Sequence, residues 1–307
     1  MAVNMTISNF KFQNAKYEML FFVLCILQFA VCVNGANAHL PMETEYAETL
    51  PKDSWEVRLH GGYMDMSSGE NNWMKEQMYE LNAGYGLTRD LSLYIQPTYK
   101  VKEMEMSGGG MIMKESASGV GDTDVLARYR FRKKDREGGS CQQALLLGLK
   151  LPTGAWNIEE NGTRLMDMVQ PGTGSTDYSA GLAVTHRKGN FTLDGDVIYT
   201  INTENQKDYK FGNLLRYDLA GLYQINDTYL MLELNGRVAE KDDVSEANGI
   251  NRDNTGGHQI FINPGVSYHV LPNTMLMLSV QVPIYTDMNG EAQKTNYHAM
   301  GGLHWYY

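Results

Sequence analysis

From Ser54 onward the chain alternates apolar and polar residues one by one, in short runs separated by turn chemistry. Period two belongs to a strand whose two faces meet different surroundings. "WEVRLHGGY" places Trp55, Val57, Leu59 and Tyr63 on one face, with Glu56, Arg58 and His60 on the other. "DTDVLARYRF" sets Val125, Ala127, Tyr129 and Phe131 against Asp122, Asp124, Arg128 and Arg130. "FTLDGDVIYTI" sets Phe191, Leu193, Val197 and Tyr199 against Asp194 and Asp196. Segments around Leu81, Leu93, Leu147, Leu182, Leu219, Leu232, Ile262, Leu278 and Ala299 repeat the pattern, so the sequence predicts twelve strands and no amphipathic helix in this region.

The connections differ in length on the two sides. Short turns are expected at 88–90, 187–190, 226–228 and 271–273, with 133–140 as a longer fifth. Longer loops rich in glycine and acids are expected at 65–75, 103–119, 153–175, 203–208, 239–256 and 287–295. An even strand count with short turns at one end and long loops at the other predicts an all-β fold, a transmembrane antiparallel up-and-down β-barrel. A soluble β-sandwich also alternates. Two aromatic belts argue against it: Trp55, Tyr85, Tyr129, Tyr223, Tyr268, Trp305 and Tyr307 fall at the short-turn end, while Tyr63, Tyr99, Tyr178, Tyr199 and Tyr297 fall at the loop end. Aromatics collect at the two interfaces of a bilayer.

One apolar run stands apart. "MLFFVLCILQFAVCV" (19–33) follows Lys11 and Lys16 and runs into small residues at Ala36-Asn37-Ala38, the layout of a cleaved signal peptide. Residues 1–38 are therefore read as signal, 54–307 as barrel, and 39–53 ("HLPMETEYAETLPKD") as either a periplasmic segment or a short plug. The expected location is the outer membrane. The expected partners are its lipid bilayer, the barrel-assembly machinery reading the C-terminal strand, and a small-molecule solute. A net charge of -10 without a basic stripe disfavours nucleic acid. Cys25 and Cys32 leave with the signal, so Cys141 stands alone and no disulfide or cysteine metal cluster is expected.

Pro97, Pro264 and Pro283 sit inside predicted strands, where each removes a ladder donor. They predict kinks, or a lateral opening through which an apolar ligand leaves the lumen. An unbroken ladder beside all three would exclude the opening.

With parity set by the charges, Met64, Met66, Met78, Met104, Met106 and Met231 point into the lumen, as do Met275, Met277 and Met300. Met111 and Met113 are expected in an outer loop. Lys100, Arg128, Lys150, Asp194, Asp196, Arg216 and Glu233 complete the expected lining of the solute pathway; each could equally pair with another simply to stiffen the wall. Methionine has three readings here. It fills gaps, it offers a path for aromatic solutes, or it binds a soft metal such as Cu(I) through Met104, Met106, Met111 and Met113.

The segments "SGVGDTDVLARYRF", "LLLGLKLPTG", "QPGTGSTDYSAGLAVTH", "YLMLELNG", "INPGVSYHV" and "LSVQVPIY" resemble the outer-membrane transporter family labelled "MetA-pathway of phenol degradation". The pairing of Leu151-Pro152-Thr153-Gly154 with Gly172-Thr173-Gly174-Ser175 is the more specific part. The resemblance implies a barrel that takes up aromatic or other hydrophobic compounds, with no catalytic residues and no cofactor. The Met-x-Met doublets are not part of that pattern. A non-conducting structural barrel is the third class carried forward. An enzyme is not expected: Gly-x-Ser-x-Gly is absent, and "GTGSTD" (172–177) lacks the lysine of a phosphate loop.

Overall fold

The computed structural model describes residues 40–69, 72–108, 111–244 and 251–306. The predicted signal peptide, His39 and Tyr307 lie outside the described residues. Twelve wall strands follow one another: β1 (Trp55–Ser68), β2 (Asn72–Gly86), β3 (Leu91–Gln96 and Thr98–Gly108), β4 (Met111–Val120 and Thr123–Arg136), β5 (Gly139–Leu151) and β6 (Asp177–Lys188). Then come β7 (Phe191–Ile201), β8 (Leu214–Ile225), β9 (Thr228–Ala239), β10 (Gly257–Leu271), β11 (Thr274–Met288) and β12 (Lys294–Tyr306). Every neighbour pairs antiparallel, and β1 pairs both β2 and β12, so the sheet closes on itself. Val57, for example, lies between Ala83 and Trp305.

The alternation of the sequence becomes the two faces of this wall. Leu147, Leu182, Leu232 and Leu278 stand half in the open on the outside, whereas Arg128, Asp194, Glu233 and His304 are wholly buried inside. A contiguous apolar exterior is what a lipid-facing barrel presents, and closure leaves no backbone edge unpaired. Outward aromatics mark both rims. Trp55 packs on Tyr85 at 4.5 Å near the short turns, and Tyr63 on Tyr297 at 6.0 Å near the loops.

Three expected loops are shorter than read. Residues 103–119 are mostly a hairpin: Met106 opposes Met113 and Lys102 opposes Ala117. Met113 therefore sits on a strand, not in an outer loop. Strands β1, β2, β11 and β12 likewise run into the stretches 65–75 and 287–295. Above the apolar band both faces of a strand can meet water, so the hydrophobic signal fades while the ladder goes on. At the other end β4 and β5 reach to Arg136 and from Gly139, shortening the expected turn at 133–140.

The prolines differ from one another. At Pro97 the chain steps, but Leu81 N donates to Pro97 O at 3.1 Å and Gly121 N to Thr98 O at 2.9 Å, so the wall is stitched. Pro264 and Pro283 flank a weak seam. Between β10 and β11 the register runs Ile262↔Val282, then resumes at Gly265↔Ser279, with a bulge beside Pro283. The pairing of β11 with β12 ends at Gln281↔His298, although β11 continues to Met288 and β12 starts at Lys294. The ladder is thus broken beside two of the three prolines.

Candidate functional site in the lumen

Residues 40–50 run inside the barrel near the short-turn end, and 51–53 lie exposed at its rim. Leu50 N donates to the Ser92 hydroxyl on β3, and Ala47 N to Thr185 on β6, at 2.8 and 2.9 Å. Glu45 N donates to Asp196 on β7 at 2.7 Å. On β9 the Glu233 carboxylate accepts from Met42 N, Glu43 N, Thr44 N and the Thr44 hydroxyl, at 2.8, 3.1, 2.8 and 2.7 Å. Three successive amides converge on one carboxylate, which also serves Asn263 at 3.2 Å. Such charge-assisted bonds are the stronger kind.

Arg128 organises the centre of this crossing. Its guanidinium stacks over the Tyr46 ring at 3.8 Å, pairs with Glu45 at 2.5 Å, and donates to Tyr94 Oη and Glu48 O at 2.8 and 3.1 Å. A planar fork that also stacks does this where a lysine would not. Arg187 pairs with Glu48, and Gln142 donates to Glu48 at 2.8 Å. Beside them His304 meets Glu56 at 3.0 Å and Tyr306 at 2.6 Å, while Arg58 lies 3.2 Å from Glu56. Leu40, Met42 and Tyr46 pack against Met231, Met275, Met277, Met300 and Tyr306.

Above this floor lies a chamber of about 350 Å³, within the range of small-molecule sites. Its lining mixes Arg58, His60, Glu80, Asp124, Arg216 and His298 with Met78, Met300, Leu126 and Ile198, and Glu43 and Glu45 rise from the floor. It is thus amphipathic: charged groups of both signs alternate with thioether and aliphatic surface.

The loop at 152–176 covers the loop end. Asp122 anchors it, accepting from Gly154 N at 3.1 Å and from Thr173 N and Oγ1 at 2.8 and 2.7 Å. Gly154 and Gly172 pass back to back: a Cβ on Gly154 would meet Gly121, Asp122 and Gly172 backbone at 2.6 to 2.8 Å. That contact explains why the two glycine motifs of the sequence occur together. Asn205 ties this loop to the next, donating to Thr173 O at 2.9 Å and to Asp167 at 3.3 Å. Under the loop, Met66, Met74, Met104, Leu165 and Val169 form one apolar cluster, joined by Met64, Met106, Met166 and Met168.

The expected lining residues therefore divide. Met78 and Arg216 border the chamber, and Arg216 Nε lies 3.6 Å from Asp218. Arg128, Asp196 and Glu233 hold the N-terminal segment, and Asp194 backs it by accepting from Thr185 at 2.5 Å. Lys150 bridges Asp122 and Asp177 beneath the covering loop. Lys100 and Lys102 flank Glu76 at 3.9 and 3.7 Å. Met64, Met66, Met104 and Met106 join the loop-end cluster, while Met231 belongs to the floor. Of the expected metal set, Met104 is buried and Met113 is 39% exposed; the Met111 side chain lies outside the described residues. Glu56 and His304 lie on the inward faces that parity assigns them, but Glu45, Tyr46 and Glu48 were missed by sequence reasoning. A short acidic segment reads the same whether it floats or docks, so no signal marked those three.

The model of the family described as "Putative MetA-pathway of phenol degradation" matches residues 64–293. Among solved structures, the fold is similar to the COG4313 outer membrane channel from Pseudomonas putida F1, at 16% identity and a TM-score of 0.65, covering 88% of this chain and 100% of that one. The CymD monoaromatic hydrocarbon channel aligns at 8% identity and a TM-score of 0.42, covering 83% and 89%. The translocator domain of the autotransporter NalP from Neisseria meningitidis aligns at 7% and 0.45, covering 97% and 98%. Among curated proteins none matches.

Proposed function

This chain belongs to the MetA-pathway of phenol degradation family and is an outer-membrane β-barrel; from that premise we propose that it is a passive, selective channel for small hydrophobic or aromatic compounds. The observation that carries the reading is the amphipathic chamber between two methionine-rich layers. An aromatic ring bearing a hydroxyl finds thioethers for its faces and edge, and charged acceptors and donors for its polar group. Residues 40–53 act as a plug. They narrow the aqueous route toward the short turns, which restricts ions more than a solute able to leave sideways. The seam at Pro264 and Pro283 supplies that sideways exit into lipid, where β11 and β12 part above Gln281.

The test is flux through the refolded barrel in planar bilayers and in liposomes, with phenol or toluene as the solute. The expected result is low ion conductance that dissolved aromatics reduce further, together with solute entry faster than in empty liposomes. A barrel silent to ions and indifferent to both aromatics is a structural wall, and the transport reading then falls.

A further inference from the structure

Met66, Met74 and Met104 stand in one row across three adjacent strands. Met66 on β1 is the register partner of Met74 on β2, and Met74 is the partner of Met104 on β3. Their exposures of 8%, 2% and 3% put all three on the inner face, where directly opposed side chains stand about 5 Å apart at Cβ. Unbranched thioethers of that spacing can bring three sulfurs to one point. The covering loop adds Met166 and Met168, and Met64 and Met106 flank the row. The remaining apolar members are Ala117, Ile158, Leu165 and Val169, so thioether sulfur is the donor these side chains offer, while Lys102 Nζ reaches Met168 O at 3.0 Å and Thr295 Oγ1 lies 3.7 Å from Met64 Sδ. Packing alone does not call for this, because leucine fills a core with better-defined rotamers than methionine.

We propose that this row is a binding site for a soft monovalent cation of the Cu(I) type. Thioethers select Cu(I) over hard cations, which favour carboxylate, carbonyl and water oxygens. A single positive charge in an apolar pocket needs a nearby anion. Glu115 stands directly opposite Met104 and accepts from Met166 N at 2.9 Å, so its carboxylate sits at the edge of the site and on the loop that closes it. Binding does not depend on solute flux, since the row lies above the chamber lining named earlier.

The test uses the refolded full chain with Cys25, Cys32 and Cys141 all changed to Ser, which removes every competing thiol, titrated with Ag(I) by calorimetry and with Cu(I) under anaerobic competition. One ion per barrel is expected, with an X-ray absorption shell of sulfur alone. Met66→Leu, Met74→Leu and Met104→Leu together should weaken binding by at least the ~10–100-fold that even outer-shell changes cost a metal site. Met275→Leu with Met277→Leu, at the floor, should leave it unchanged. If the triple variant does not refold, Met74→Leu alone, at the centre of the row, should weaken binding about tenfold. No binding by the parent, or equal binding by the Met74 variant, overturns the site. Liposome flux measured without metal reports on the transport reading separately.

Discussion

The side-chain amide of Gln259 on β10 grips the backbone of Thr295 on β12 from both directions. Oε1 accepts from Thr295 N at 3.1 Å, and Nε2 donates to Thr295 O at 3.2 Å. These are the two bonds a neighbouring strand would make, supplied across the place where β11 has lost its pairing with β12. Gln259 is buried, and its Nε2 also meets Thr286 Oγ1 at 3.2 Å. It therefore latches the seam from inside. Replacing it with leucine leaves a buried N–H and C=O unpaired, at about 1–3 kcal/mol. Gln259→Leu should lower the unfolding temperature of the barrel and raise aromatic flux into liposomes while ion conductance stays low. A faster ion leak with unchanged aromatic flux would show that the solute does not leave through this seam.

Glu233 and the three amides it collects make a second point of control. Each charged hydrogen bond contributes on the order of 1.5–3 kcal/mol, and Glu233→Ala removes every one that reaches Met42, Glu43 and Thr44. The Arg128 end of the crossing, with Tyr46 and Glu45, stays intact. The expected outcome is a half-released segment: proteolysis between 40 and 45 becomes faster, and single-channel conductance rises with larger fluctuations. Removing residues 40–53 altogether should give a still larger and steadier conductance. If both variants conduct like the parent, the constriction lies in the covering loops.

Gly154 and Gly172 set how tightly the covering loop can sit. A methyl group on either would press into backbone at under 3 Å, and overpacking of a rigid contact costs about 1–3 kcal/mol. Gly154→Ala should therefore loosen the loop from Asp122 without unfolding the wall. Limited proteolysis within 155–170 should speed up while heat-modifiable migration on gels persists. Gly221 on β8, where an added Cβ would meet only the Phe191 ring at an ordinary 3.7 Å, is the control position.

Much of this molecule is readable in its sequence because a barrel wall has only two environments. Leu230, Leu232 and Leu234 against Met231, Glu233 and Asn235 carry the face assignment by parity alone, and twelve such segments fix the architecture. The places where the reading thins are physical too. In 98–120 both strand faces leave the bilayer, so the glycines and charges look like loop while the ladder persists. Glu233 and Arg128 are visible as inward charges, but their partners lie in 40–53, about 190 and 80 residues away in sequence. Nothing local in "METEYAE" distinguishes a docked segment from a free one. Gln259 is likewise an ordinary inward glutamine until the broken ladder opposite it is seen.

At the loop end, Asp242 offers a pH-dependent contact. It accepts from Tyr209 Oη at 2.5 Å and from Gly212 N at 2.8 Å, and so joins the loop after β7 to the loop after β9. Burial pushes its carboxyl above the ordinary value despite these donors, and Asp167 adds to the rise. The tyrosine hydroxyl is raised in turn by burial and by Asp242 itself, so it stays protonated and donating across neutral pH. The raised carboxyl fixes the sign. Its folded value exceeds the unfolded value of about 3.9, so its protonated form stabilises the contact, fully below that pH and progressively less as pH rises through the folded value. Amide protection factors at Gly212 and at Asp242 itself should therefore decline from about pH 4 toward neutrality. Asp242→Asn keeps an acceptor oxygen and removes the charge, and should make that profile flat. Protection that rises with pH in the parent would assign the pH response to another group.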